Sequence, residues 1–439
     1  MNRRIRTTVL LLTAIVFLSG CAVRTVDQMY SPPRRSQEYN DLQIAIDGAM
    51  TGLSYCAPLT GENQQTVQMA DLDGDGLEEY LLFAKGSSEK PMQILIFDQK
   101  EGSYYLRETI ESLGSAFELV EYVNLDGQPG MELVVGRQVS DQVLRSVSVY
   151  TFSGGDAEQL MAVSYSKFVT ADLDEDGRTE LMVIVPGETE TDHAVASLYS
   201  YQDGAMVRSA EANLSETADH IKRIMVSGLQ GGTPAVYVAS AVEESAIITD
   251  VFALKDGRFT NVSFSNESGT SVQTLRNYYV YADDIDDDGV LELPSLITMT
   301  SRDRSAATHY LIRWYAMKLN GEEVDKMYTF HNFDGGWYLQ LDGSWASRIM
   351  VTQEGNIYNF SLWDEAFRNC EKIMTVFAFT GSNRDEAAVE ENRFVLYKAD
   401  GVVYAAKLEA AALSCGITQE SLTESFHLIH QDWKTGETE

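Results

Sequence analysis

Asp71-Leu-Asp-Gly-Asp-Gly-Leu-Glu-Glu79 decides the reading of this chain, because it returns twice in the same frame. Asp172-Leu-Asp-Glu-Asp-Gly-Arg-Thr-Glu180 and Asp284-Ile-Asp-Asp-Asp-Gly-Val-Leu-Glu292 carry acids at positions 1, 3, 5 and 9 and glycine at position 6. Worn copies lie between and after them: Asn124 to Glu132 keeps two acids, Ser227 to Ala235 keeps none, and Gln340 to Arg348 keeps Asp342 alone. The six starts are separated by 53, 48, 55, 57 and 56 residues. A period near 50 residues belongs to repeat architectures, in which each unit buries its faces against its neighbours.

The apolar positions keep the period where the acids do not. Position 2 reads Leu72, Leu125, Leu173, Gly228, Ile285, Leu341, and position 10 reads Tyr80, Leu133, Leu181, Val236, Leu293, Ile349. Runs such as Tyr80-Leu-Leu-Phe83 and Leu181-Met-Val-Ile-Val185 are apolar at consecutive positions, which predicts strands covered on both faces. Hairpin patterns follow, as in Gln93–Phe97 to Tyr104–Leu106 around Lys100-Glu-Gly. One unit is therefore strand, acidic loop, strand and hairpin, the content of a propeller blade. The expected fold class is all-β: a β-propeller of about seven four-stranded blades stacked in a circle, six being the alternative. The seventh unit is placed at about residues 370–415, where strands occur without the loop signature.

Three aspartates, a glycine and a further acid within nine residues have the oxygen-rich coordination taste of calcium. The expected ligands are the side chains of Asp71, Asp73, Asp75 and Glu79, of Asp172, Asp174, Asp176 and Glu180, and of Asp284, Asp286, Asp288 and Glu292, with the position-7 carbonyls of Leu77, Arg178 and Val290. That makes about three structural calcium ions. An EF-hand is excluded by spacing, since its twelfth position needs a glutamate and here it is Leu82, Val183 or Ser295. Magnesium keeps its waters and suits an all-protein cage less well. The Asn124 copy retains two acids, and whether it binds metal stays open; the Ser227 and Gln340 copies are expected to be metal-free.

These loops and their period resemble the FG-GAP/VCBS repeats of integrin-α-like β-propellers. The resemblance covers about residues 60–410 and implies a calcium-stabilised seven-bladed propeller displayed outside the cytoplasm. The N-terminus agrees in address. Arg3, Arg4 and Arg6 precede an apolar run from Val9 to Leu18, about half the ~20 residues of a membrane span. Leu18-Ser-Gly-Cys21 resembles the lipobox of bacterial lipoproteins, in which the cysteine is acylated. The expected organisation is a signal peptide over 1–20, a tether over 21–40, a lead-in with a helix from Asp41 to Gly52 over 41–66, the propeller over 67–415 and a C-terminal extension over 416–439. The protein is placed on the outer face of a membrane of the cell envelope, lipid-anchored through Cys21 and monomeric.

Composition narrows the function. With 66 acidic against 33 basic residues the net charge is −33, which excludes nucleic acid as a partner, since that binding neutralises phosphates. Cys56, Cys370 and Cys415 leave at most one disulfide once Cys21 carries lipid. No Gly-x-Ser-x-Gly, His-Glu-x-x-His or phosphate-cradling loop is present. His427-Leu-Ile-His430 lacks a third ligand, and Trp363-Asp-Glu365 and His331-Asn-Phe-Asp334 set acids beside aromatics, as a sugar cleft does. The reading is a non-enzymatic binding or scaffold module for protein or glycan. Its alternative is a propeller-type polysaccharide hydrolase or lyase with its site in the central funnel.

Overall fold

The computed structural model describes residues 37–139, 144–189, 191–242, 246–299 and 310–429. The signal peptide, Cys21 and most of the tether lie outside these residues, as does His430. Helix α1 (Gln37–Ala49) opens the described chain, starting four residues before the expected Asp41. Everything after it is built on antiparallel sheet, in six sheets that follow one another in sequence.

The first sheet takes Ser54–Tyr55, Val67–Ala70, Glu79–Lys85, Met92–Lys100 and Ser103–Ser112. The second is Ala116–Val123, Glu132–Gln138, Arg145–Thr151 and Glu158–Tyr165; the third is Lys167–Ala171, Glu180–Val185, Val195–Gln202 and Ala205–Asn213. The fourth is Ile221–Gly228, Pro234–Val242, Ala246–Lys255 and Arg258–Asn261. In the second, third and fourth the repeat loop joins the first strand to the second, and in the first it joins Val67–Ala70 to Glu79–Lys85, as its spacing predicts. The Lys100-Glu-Gly hairpin turns with positive φ at Glu101 (52°) and Gly102 (80°), the geometry a two-residue antiparallel turn demands.

From the fifth unit the frame slips. Its strand before the loop shrinks to a single bridge, Asp283 with Glu292, so the sheet begins at Leu293–Thr298 and continues through Tyr310–Met317 and Glu323–Asn332. Trp337–Leu341, which the period assigns to the sixth unit, pairs back onto Glu323–Asn332. The C-terminal strand Phe426–Leu428 then pairs with it, Tyr338 opposite His427. His427 thus sits on a strand, where the sequence had suggested a helical face, and its ring stacks on Tyr338 at 4.9 Å. The sixth sheet has the order Ile349–Glu354, Ile357–Trp363, Cys370–Thr380, Val402–Leu408, Phe394–Ala399. The expected seventh unit is not a separate sheet: its strands are the far half of the sixth, because Cys370–Thr380 pairs with Ile357–Trp363 on one side and Val402–Leu408 on the other.

Both faces of each inner sheet are apolar, and the sheets stack through them in chain order. Leu81, Phe83 and Ile94 meet Phe117, Leu133 and Val135. Val134 and Val147 meet Leu181 and Val183, and Met182 and Ile184 meet Val236 and Phe252. Tyr237 and Val251 meet Leu293 and Tyr315, then Phe330 and Trp337 meet Val351 and Phe360. The two outer faces have covers of their own. Leu42 and Ile46, one turn apart on α1, pack on Leu82, Ala84, Leu95 and Phe97 of the first sheet. Ala388, beyond the short helix α2 (Arg384–Ala387), packs on Val403 and Ala405 of the sixth. Among the described residues no apolar cluster joins the sixth sheet to the first. Cys56 and Cys415 are free thiols.

Candidate metal centres in three acidic loops

The pleat of the strand after each loop fixes the site. Glu79 points to the same side as Leu81 and Phe83, and Glu180 to the same side as Met182 and Ile184, so the ninth position faces the seam between two sheets. Glu79, Glu132, Glu180 and Glu292 are 1%, 3%, 5% and 0% exposed. Each gives one carboxylate oxygen to the backbone N–H at position 2: Leu72 at 2.8 Å, Leu125 at 2.7 Å, Leu173 at 2.9 Å and Ile285 at 3.1 Å. The glutamate is therefore the keystone of the loop as well as an acid. Position 1 closes the turn from the other side, its carboxylate accepting from Gly76, Gly177 or Gly289 at 3.0, 3.0 and 2.8 Å.

Three carboxylates converge in each intact copy: Asp71, Asp73 and Glu79; Asp172, Asp174 and Glu180; Asp284, Asp286 and Glu292, with ligand oxygens within 4.8 Å of one another. The position-5 acids stand outside these groups. Asp75, Asp176 and Asp288 instead accept the position-7 N–H of Leu77, Arg178 and Val290 at 2.8, 2.8 and 3.0 Å, so at position 7 the structure ties down the N–H. The Arg178 guanidinium beside Asp176 and the Lys326 ammonium beside Asp288 hold those two carboxyls below their usual range.

The donor set fits a hard cation on one specific observation. Asp172 Oδ1 and Glu292 Oε1 are buried and accept no hydrogen bond. A buried carboxylate oxygen without a donor is costly unless an ion answers it. Burial is also the main cause that pushes Glu79, Glu180 and Glu292 up to about 7, helped by neighbouring aspartates and opposed by the position-2 N–H. The Asn124 copy shows the contrast: Glu132 Oε1 accepts from the Thr151 hydroxyl at 3.0 Å, and Asn124 Oδ1 takes the Gly127 N–H at 2.7 Å. A hydroxyl answers the oxygen that the Glu292 copy leaves open. In the Gln340 copy Asp342 caps a 3-10 turn over Gly343–Trp345, and Arg348 bonds the carbonyls of Ser344 and Trp363, which leaves no cage.

Basic side chains that the loop motif does not contain grade the three cages. Arg107 Nη1, from the outer strand of the first sheet, lies 2.7 Å from Asp73, 3.8 Å from Asp98 and 3.9 Å from Glu79. Lys326 pairs with Asp288 and lies 3.8 Å from Asp286. Among the described residues the one cation paired at the second cage is Arg178, which pairs with the outlying Asp176. The order of cation affinity expected is second cage, third, first. Arg107→Gln removes a positive charge beside the first cage and is expected to tighten calcium there by roughly tenfold, about 1.4 kcal/mol. Calorimetric titration of the variant reads this in the weakest class of sites; an unaltered isotherm would refute the grading.

The loops also join one another along one end of the stack. The position-8 N–H of one copy donates to the position-1 carbonyl of the copy before it, Met131 to Asp71 at 3.0 Å and Thr179 to Asn124 at 2.8 Å. At the fourth copy position 8 is Pro234, which has no N–H to give. Ser227 instead bonds the Gly289 carbonyl of the fifth copy at 3.2 Å. One further buried acid, Asp250, is sealed at 0% exposure among Ser215, Asn261 and Ser271, all of which donate to it. No substrate reaches it, and it serves as a polar pin in the fourth sheet.

No protein-family model matches the chain, and no curated protein matches it. Among solved structures it is similar to the exotype rhamnogalacturonan lyase YesX, at 14% identity and a TM-score of 0.29 over 75% of this chain and 67% of that one. It is similar to a rhamnogalacturonan lyase of Bacillus licheniformis at 9% identity and a TM-score of 0.30, over 73% of this chain and 89% of that one. TolB from Acinetobacter baumannii gives 10% identity and a TM-score of 0.26 over 78% and 70%. Similarities of this size carry no function across, and the architecture rests on the sheets themselves.

Proposed function

We propose that this chain is a non-enzymatic, membrane-tethered binding or scaffold module for protein or glycan, displayed on the outer face of a cell-envelope membrane through a lipidated Cys21. Its body is a stack of six propeller-type blades, and calcium in the first, third and fifth repeat loops staples those blades together. The observation that carries the metal reading is the pair of buried, unanswered oxygens, Asp172 Oδ1 and Glu292 Oε1, inside two of three cages of identical plan. The resemblance of the loops to FG-GAP/VCBS repeats supports the same reading. Calcium, once bound, supplies charge neutralisation and cross-linking; the chain supplies the Asp, Asp, Glu oxygens and holds them by backbone N–H groups. Of the acids with raised proton affinity, Glu79, Glu132, Glu180 and Glu292 are engaged with loop backbone, Glu121 accepts from the Thr170 hydroxyl at 2.7 Å and Asp250 is sealed among its donors, which favours recognition over catalysis.

Calcium titration at two pH values tests the proposal. With Glu79, Glu180 and Glu292 near 7, each is mostly protonated at pH 6 and mostly ionised at pH 8.5. Binding is expected to be weaker at pH 6 and to release about one proton per ion there, read from calorimetry in buffers of different ionisation heat, and almost none at pH 8.5. Absence of any calcium heat at pH 8.5 would end the metal reading.

A further inference from the structure

A cavity of about 340 Å3 opens between the fifth and sixth sheets, by the end of the fifth sheet that lies away from its acidic loop, where Tyr310 pairs with Thr298. Tyr278, Tyr310, Phe333 and Tyr358 line it, Tyr278 and Phe333 meeting edge to face with centroids 4.0 Å apart and planes at 80°. Besides the tyrosines, its polar lining is His331, Asn332, Asp334 and Gln353. Gln353 is tied to the Tyr358 hydroxyl at 3.0 Å. Asn332 is only 9% exposed; its Oδ1 accepts the Gly335 N–H at 3.1 Å, while its amide nitrogen meets no acceptor. Asp334 is exposed, and His331, wholly enclosed and neutral, adds no positive charge.

We propose that this cavity binds one or two rings of a neutral saccharide. A pyranose presents flat C–H faces to aromatic rings and carries hydroxyls that donate, so one ligand stacks on the rings and answers the Asp334 carboxylate together. The volume lies at the small end of the roughly 300 to 1,000 Å3 usual for ligand sites, which suits a sugar unit and not a folded peptide. Acidic sugars are disfavoured by Asp334 and by the field of a chain with net charge −33. A quaternary ammonium would also satisfy the rings and Asp334, and its binding is the competing outcome of the test. This inference deepens the binding-module reading and uses none of the cage residues.

The test is calorimetry or saturation-transfer NMR on the whole calcium-loaded chain. The probes are maltose, cellobiose, N,N′-diacetylchitobiose, digalacturonate and tetramethylammonium, each at up to about 10 mM, enough to register millimolar binding. At least one neutral disaccharide is expected to bind. Tyr310→Ala, a change at a residue 42% exposed, is expected to weaken that binding tenfold or more, and Asp334→Asn several-fold, with the melting temperature unchanged in both. Binding of tetramethylammonium or digalacturonate in place of the neutral sugars overturns the proposal. So does no binding of any probe, or full affinity in Tyr310→Ala. If calcium still titrates while every neutral sugar fails, the saccharide site alone falls; if sugars bind while calcium does not, the metal reading falls and this one stands.

Discussion

Chelating divalent cations from the purified chain is expected to lower its melting temperature by roughly 6–10 °C. A ligand that binds only the native state adds RT ln(1 + [L]/Kd), about 2.7 kcal/mol for each site at a hundredfold excess. Two or three such sites give about 5 to 8 kcal/mol, and at an unfolding entropy of about 2.1 cal/mol/K per residue over roughly 400 residues each kcal/mol moves the midpoint by about 1.2 °C. The pH dependence has a definite sign. Burial raises Glu79, Glu180 and Glu292 to about 7, above their unfolded range, so in the metal-free protein they contribute stability at low pH that is lost as pH rises through 7. Calcium opposes that loss by answering the ionised form. The gap between calcium-loaded and chelated midpoints should therefore be widest above pH 7 and close towards pH 4.5. Because the stack is joined neighbour to neighbour, chelation should also broaden the transition, as cage-bearing sheets detach before the rest. Coincident melting curves at pH 8 would sink the prediction.

How much of this was legible in the sequence depends on whether a feature is local. The loop is local chemistry: Asp and Gly at fixed offsets force the turn wherever the flanks pair, so its three intact copies and their separation from the worn ones could be read directly. The burial of Glu79 and Glu180 was readable in principle, since each begins an apolar strand and shares a face with its alternate residues. The slip at the fifth unit was not. Trp337–Leu341 and Cys370–Thr380 look like strands in any frame, and nothing in an apolar run names its partner. Seven units were expected for that reason, where six sheets hold the same strands. Arg107 and Lys326 were invisible to the motif for a similar reason, being 34 and 38 residues away from the aspartates they meet. A basic residue on a later strand of the same unit, in a chain so poor in them, is the signal that was available. The cavity between the fifth and sixth sheets was legible only as the fragment His331-Asn-Phe-Asp334; Tyr278, Tyr310 and Tyr358 join it through tertiary packing.

Replacing Glu180 separates its two roles with opposite signs. Glu180→Gln keeps an oxygen for the Leu173 N–H, which lies at 2.9 Å from the present carboxylate, and discards a charge that burial disfavours. In chelator at pH 8 the variant should match the parent or exceed it by up to about 2 kcal/mol, since no ionised carboxylate has to be carried into the seam between the third and fourth sheets. In calcium it should lose one bound ion and the stabilisation of about 2.7 kcal/mol that goes with it, leaving the parent ahead. Glu180→Ala removes the acceptor as well. It strands a buried backbone N–H beside Leu173, which is 2% exposed, and opens a hole, so it should cost about 2–4 kcal/mol even in chelator. The two variants thus cross the parent differently: the glutamine form is ahead without calcium and behind with it, the alanine form behind in both. Paired denaturation curves in calcium and in chelator measure this. A glutamine form that keeps every ion would show that Glu180 is only a backbone clamp, and one as weak as alanine in chelator would show that its charge, not its oxygen, holds the loop.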